Sequence, residues 1–238
     1  MSSRTPAYVP RPRRRTTWLV EGVEHLYAVV RIQLVWLGLT LLGLIVFGIA
    51  PATCAAAEAL RAERRGELTR ALPLMWETYR RELIPAGIRM LPLMGVQVLA
   101  LLMLWQAAAG LSSNPAVMAV MGTFGGLIAG WAGVSLAAIA VAPRVRDQEL
   151  LVTWRLALLM PGAVPLRSLA LAVLLAAWTL LCTSVWPLGM LLGAGLAIDV
   201  AVGLLSRRIS LLLEDLSARR SGPPPEPADP GALDARDP

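Results

Sequence analysis

From residue 115 to residue 142 the chain carries no charged side chain, and a helix of that length crosses the roughly 30 Å hydrocarbon core of a bilayer. In water such a helix has no polar face to present. In lipid its backbone hydrogen bonds close internally and its side chains match the solvent. Four further apolar stretches, at about 32–50, 85–109, 163–186 and 188–205, recur at similar length. Hydrophobic residues make up 56% of the chain, and the mean hydropathy is +0.62. The expected fold class is therefore all-α: a polytopic membrane helical bundle of about five transmembrane segments with amphipathic interfacial helices.

The ends read differently. Residues 1–17 combine Pro6, Pro10 and Pro12 with Arg4, Arg11, Arg13, Arg14 and Arg15, with no apolar period to bury, so a disordered head is expected. Residues 217–238 form a Pro-rich tail of the same kind, leaving 18–216 as one membrane helical domain. The arginines, the apolar run and the small residues around Cys54 imitate a signal peptide. The run is too long and too far from the start, however, so the first segment is expected to stay in the mature protein.

The formal charge is +6, and every basic residue is Arg. These arginines flank apolar stretches, which fits orientation against anionic lipid and argues against nucleic acid. A charged connection over 54–65 and 67–83 contains Leu72, Met75, Trp76, Tyr79 and Leu83 at helical spacing, with Arg80 and Arg81 pointing elsewhere. That pattern predicts a helix lying in the membrane interface around Trp76, Tyr79, Arg80 and Arg81. A second charged connection covers 143–160.

Counting arginines near the span ends puts both connections and the Arg207/Arg208 end in the cytoplasm, with the two uncharged turns outside. Five crossings would then leave the arginine-rich head outside, against the same rule. A first segment that bends back near 48–51 would leave four crossings; five is the reading taken here.

Gly122, Gly126 and Gly130 are spaced by four in the third segment, as are Gly189 and Gly193 in the fifth, so both helices offer side-chain-poor faces for close helix packing. Asp199 is the one acidic residue deep in a clear span, on the face that also carries Gly195 and Gly203; an ionisable group there is a candidate for function. Gln97 and Gln106 are expected to hydrogen-bond between helices. His25 is the single histidine and is expected to be an ordinary interfacial one, while Cys54 and Cys182 have no metal or redox spacing and read as packing residues. No catalytic residue, metal site or cofactor is expected, since no nucleotide loop, paired intramembrane carboxylates or nucleophile elbow is visible.

Three short stretches carry more than composition does: Arg31-Ile-Gln-Leu-Val-Trp36, then 42–53 with Gly48, Pro51, Ala52 and Thr53, then Trp76-Glu-Thr-Tyr79-Arg-Arg-Glu82-Leu. They resemble the YesL family of bacterial membrane proteins, a family grouped under a domain of unknown function. There a first helix ends in a Gly-x-x-Pro-Ala-Thr turn, and an aromatic-basic-basic-Glu segment precedes the second span. The resemblance covers about 31–85. It implies a multi-pass protein of the bacterial inner membrane, with the lipid bilayer and either the membrane subunits of a sugar ABC transporter or a second copy as expected partners. At the corner Gly48, Pro51, Ala52 and Thr53, Gly48 is expected to permit close packing, Pro51 to stop the first helix, and Thr53 to cap a helix beginning near Cys54. The function expected is that of a non-enzymatic accessory or regulatory component of carbohydrate transport, with a small solute carrier or channel as the alternative.

Overall fold

The structure, a computed structural model, describes residues 17–66, 71–110 and 114–221. Among these are eight helices and no strand: α1 (Thr17–Leu42), α2 (Ile49–Arg64), α3 (Ala71–Ala108), α4 (Pro115–Val141), α5 (Pro143–Arg146), α6 (Leu150–Ala163), α7 (Pro165–Ser184) and α8 (Trp186–Ser221). The all-α polytopic class stands. Five stretches are long and apolar enough to cross a membrane: Gly22–Leu42, Leu72–Ala108, Pro115–Val141, Pro165–Ser184 and Pro187–Leu205. Most of the expected head and tail lies outside the described residues, although α8 stays helical to Ser221, past the expected domain end at 216.

The packing is inverted relative to a protein in water. On α4 the small residues Gly125, Ala129, Ala132, Ser135 and Ala138 face inward, while Phe124, Leu127 and Trp131 face outward. Small residues let helix backbones approach where no hydrophobic effect drives association, and large apolar side chains meet lipid at no cost. Asn114 starts α4 by accepting a hydrogen bond from the Ala116 N–H at 2.9 Å, with Pro115 in the first turn where its missing N–H is harmless.

Two expectations about the chain change. The first span is Gly22–Leu42, ten residues earlier at its start than the 32–50 read from charge-free sequence. Glu24, His25 and Arg31 sit inside this helix, and a count of uncharged residues stops at them although His25 is met by Glu63 and Asp199 within the fold. The chain then turns over 43–48, not at Pro51. Leu44 and Ile45 have φ of +56° and +60°, a left-handed conformation costly for a β-branched residue, and 44–47 is an exposed apolar tip. Pro51 lies in the first turn of α2, where proline is tolerated, so it begins a helix and does not stop one. The Ala-rich α2, read as part of a charged connection, is the most enclosed helix of the bundle: Ala52, Cys54, Ala55, Ala56, Ala57 and Leu60 are fully buried. Alanine favours helix and keeps the backbone close to its neighbours. Likewise the second connection holds the apolar helix α6.

Contacts between named residues fix helix directions. His25 meets Asp199 and Gln33 meets Met190, so α1 and α8 are antiparallel. Trp178 and Arg167 donate to the carbonyls of Gly193 and Leu204, which makes α7 and α8 antiparallel as well. The Tyr79 hydroxyl lies against Gly43 at the end of α1, and Met90 lies against Cys54, so α3 runs alongside α2 away from that end. α4 returns against α3, with Gly122 by Ala107 and Gly133 by Gln97. α6 climbs from Trp154 beside Arg89 to Leu158 beside Trp131. The start of α1 and the Arg207/Arg208 end of α8 therefore share one end of the bundle. The end of α3 and the end of α7, each leading toward an uncharged turn expected on one side, lie at opposite ends, because the shorter α6 supplies a return that span counting omits.

Candidate functional site

Two ionic clusters lie within the bundle, and α2 contributes to both. The first joins three helices. Asp199 of α8, 7% exposed, accepts from Arg64 Nε at 3.2 Å and Nη2 at 2.7 Å, and Arg64 Nη2 also reaches the Asp199 carbonyl at 3.1 Å. His25 of α1 stands between two carboxylates, its Nε2 3.1 Å from Asp199 Oδ2 and its Nδ1 3.2 Å from Glu63 Oε1. Only a protonated imidazole can donate to both at once. Burial raises the Glu63 pKa above the ordinary carboxylate value, and the neighbouring His25 opposes this in part. A cavity of about 440 Å³ opens beside the cluster, lined by Glu24, His25, Tyr27, Arg31, Glu63 and Arg64.

The approach of α8 to α1 and α2 rests on glycine. A Cβ at Gly195 would stand 3.2 Å from the Val29 carbonyl, and one at Gly203 3.3 Å from the Arg64 guanidinium. Gln33 adds a polar bridge between the helices: its Oε1 accepts from the Gly195 N–H at 2.6 Å and its Nε2 donates to the Met190 carbonyl at 3.3 Å.

The second cluster is centred on Arg146, the largest fully buried side chain, in the short helix α5. Its Nη2 is 2.6 Å from Glu58 of α2, its Nη1 donates to the Ala140 carbonyl at 2.8 Å, and its Nε is 3.5 Å from Glu82 of α3. Arg61 lies 3.3 Å from Glu58; Arg81 lies 3.7 Å from Glu58 and 3.8 Å from Glu82; Arg89 lies 4.0 Å from Glu82. Cys54 is fully enclosed nearby. Burial pushes its thiol pKa up, against the pull of the Arg146 charge, so the thiol stays neutral.

The residues singled out in the sequence fare differently. Asp199 sits in a charged cluster with Arg64 and His25, so His25 is a helix-bridging residue and not an ordinary interfacial one. At the corner, Gly48 packs against the backbone of Thr40, where a side chain would collide. Ala52 is fully buried. Thr53 does not cap: its hydroxyl donates to the Ile49 carbonyl at 2.7 Å, one turn back, and accepts from Trp36 Nε1 at 3.2 Å.

Trp76 stacks on Tyr79 with ring centroids 6.2 Å apart; Tyr79 is buried, Arg80 is exposed and Arg81 joins the second cluster. These four sit on the first turns of α3, continuous with the span and not a separate helix. Of the glycines expected to pack helices, Gly189 is tight, 3.3 Å from Cys182 Cβ, while Gly122, Gly126 and Gly130 make ordinary contacts at 3.7, 3.9 and 3.5 Å and Gly193 faces open space. The close approach on α4 is at Gly125, 3.1 Å from the Ala100 carbonyl. Gln97 Oε1 is buried without a hydrogen-bond partner among the described residues, so the interhelical role expected of it falls to Gln33.

Sequence reading missed Gln33, Glu58, Glu63, Arg64, Glu82 and Arg146. The available signal was the placement of Glu58 and Glu63 in an Ala-rich segment with no other reason to carry carboxylates.

Among the described residues no three histidines, cysteines or carboxylates converge as a metal site. Fold and clusters together define a polytopic α-helical membrane protein with ionisable groups enclosed between its helices. The chain is similar over residues 29–104 to a family described as a protein of unknown function, DUF624. That stretch runs from α1 through α2 and most of α3, and so includes Glu58, Glu63, Arg64 and Glu82 but neither Asp199 nor Arg146. Neither a curated protein nor a solved structure matches.

Proposed function

We propose that this is a YesL-type protein of the bacterial inner membrane: a non-enzymatic accessory or regulatory component of ABC-type carbohydrate transport, acting through lateral helix contacts. The motif resemblance over 31–85 and the family similarity over 29–104 support the membership. The observation that carries lateral contact is α7, of whose apolar window only 11% is buried, with Leu166, Leu169, Val173 and Leu180 all outward. A helix so little covered by its own fold is available to lipid or to another membrane protein. Photocrosslinking from Leu169 and Val173, followed by purification in mild detergent, tests the reading. Enrichment of a sugar-transporter membrane subunit over unrelated membrane proteins is the expected result, and crosslinks to lipid alone would overturn it.

A second reading, a small solute carrier, is favoured by one observation: Asp199, His25, Glu63 and Arg64 sit beside an open cavity. Intramembrane ionisable groups commonly mark ion and proton paths. Solute flux into vesicles that disappears in Asp199→Asn protein would support the carrier; an accessory protein shows none in either form.

A further inference from the structure

The second cluster is unbalanced in charge. Its ion pairs join four guanidinium groups, on Arg61, Arg81, Arg89 and Arg146, to two carboxylates, on Glu58 and Glu82, which leaves a net charge of +2. Enclosing uncompensated charge is costly, so a set of this kind favours a counter-anion.

Where the anion would sit follows from which donors are already used. Arg146 is 1% exposed and spends both terminal nitrogens on Glu58 and the Ala140 carbonyl. Arg81 and Arg89 make contacts of 3.7 to 4.0 Å, close enough for ion pairing but too long for hydrogen bonds. Their side chains are 62% and 21% exposed, so Arg81 is open to the surroundings and Arg89 partly so. Arg61 Nη2 is buried without a hydrogen bond among the described residues.

Two tryptophans flank the place. Trp154 donates to the Arg89 carbonyl at 2.8 Å, and Trp76, half-exposed, stacks on Tyr79 two residues before Arg81. Trp154 has its N–H satisfied and Trp76 an exposed ring, tryptophans of a kind enriched at headgroup depth, and forked guanidinium donors match phosphate oxygens.

We propose that Arg81 and Arg89, backed by the charge of Arg61 and Arg146, bind a phosphate group at this end of the bundle. The same chemistry is offered by an anionic phospholipid headgroup and by free phosphate. The site stands apart from the His25–Asp199 cluster and does not depend on either reading of function above.

The test uses the full chain in a nonionic detergent at constant ionic strength. Thermal stability is titrated with phosphatidylglycerol, phosphatidylcholine or sodium phosphate in separate arms, and retained lipid is counted by native mass spectrometry. A saturable rise with phosphatidylglycerol but not phosphatidylcholine supports the site with lipid as the source. A saturable rise with sodium phosphate and no lipid preference supports it with free phosphate as the source. Arg81→Gln and Arg89→Gln should each weaken the effective ligand about tenfold, as loss of a charge-assisted hydrogen bond implies, while Arg31→Gln, on the wall of the cavity beside the other cluster, leaves it unchanged. If Arg89→Gln does not fold, Arg81→Gln, on the more exposed side chain, decides alone. No saturable effect of either anion, or wild-type affinity in Arg81→Gln, overturns the proposal.

Discussion

Arg146→Met removes the centre of the second cluster without changing the volume greatly. Glu58 keeps Arg61 at 3.3 Å, but Glu82, 5% exposed, is left with Arg81 at 3.8 Å and Arg89 at 4.0 Å, neither within hydrogen-bond reach. The Ala140 carbonyl also loses its guanidinium donor. Breaking a buried pair from one side typically costs about 3–5 kcal/mol, because the remaining charge stays enclosed. The surviving arginines place this case near the lower figure. At roughly 2–4 °C per kcal/mol for a chain of this size, the melting temperature should fall by about 6–12 °C. Tryptophan fluorescence during thermal unfolding in mild detergent reads the shift, with size-exclusion chromatography confirming a monodisperse start. The second variant, Glu82→Gln in the Arg146→Met background, removes a partner that Arg146 has already left, so the double variant should lose less than the two single variants summed. A single-variant shift under about 2 °C, or losses that simply add in the double variant, would refute the view that these charges hold one another in place.

At the corner, Gly48→Ala forces a methyl onto the Thr40 backbone and should cost about 1–3 kcal/mol, whereas Gly193→Ala, facing open space, should be neutral in the same unfolding assay. Glu63 has a folded pKa raised above the ordinary 4.5, so its contribution to stability is full below that value and fades as pH rises through the raised one. Wild-type stability relative to Glu63→Gln should accordingly decline as pH rises from 4.5, and a difference that grows with pH would contradict the burial of that carboxylate. Cys54 should resist maleimide in the folded protein and react on unfolding, which mass-resolved labelling of a Cys182→Ser variant would record. Reporter fusions before α1 and after α8 should sit on the same side of the membrane, since the two helices are antiparallel; opposite sides would overturn the traced path.

Most spans were legible because composition alone defines them. Residues 115–142, 163–186 and 188–205 differ from the apolar stretches of α4, α7 and α8 by no more than two residues at any end. The first span was misplaced because a rule that counts uncharged residues assumes every charge faces solvent or lipid. On α1 His25 instead finds Glu63 and Asp199, both brought to it by later parts of the chain. The same blindness hid α6: its 14 residues fall below the length of a span, and the flanking charges of 143–160 made the whole stretch read as a surface connection.

Asp199 could be found from sequence because a lone carboxylate in an apolar helix stands out against its neighbours. Its partners could not, since Arg64 and Glu63 sit among other charged residues and nothing local separates an arginine that turns inward from one that stays in the interface. What distinguishes them is the helix opposite: Gly203 leaves room for the Arg64 guanidinium and Gly195 lets Gln33 reach its backbone, so two glycines on α8 make room for polar side chains of α1 and α2 to meet it. The repeated glycines at 122, 126 and 130 drew attention as a motif, yet the glycines that matter for the first cluster, Gly195 and Gly203, stand four residues either side of Asp199. They occur where another helix carries a polar side chain that needs space, and that requirement is written in the partner helix, not in the helix that bears the glycine.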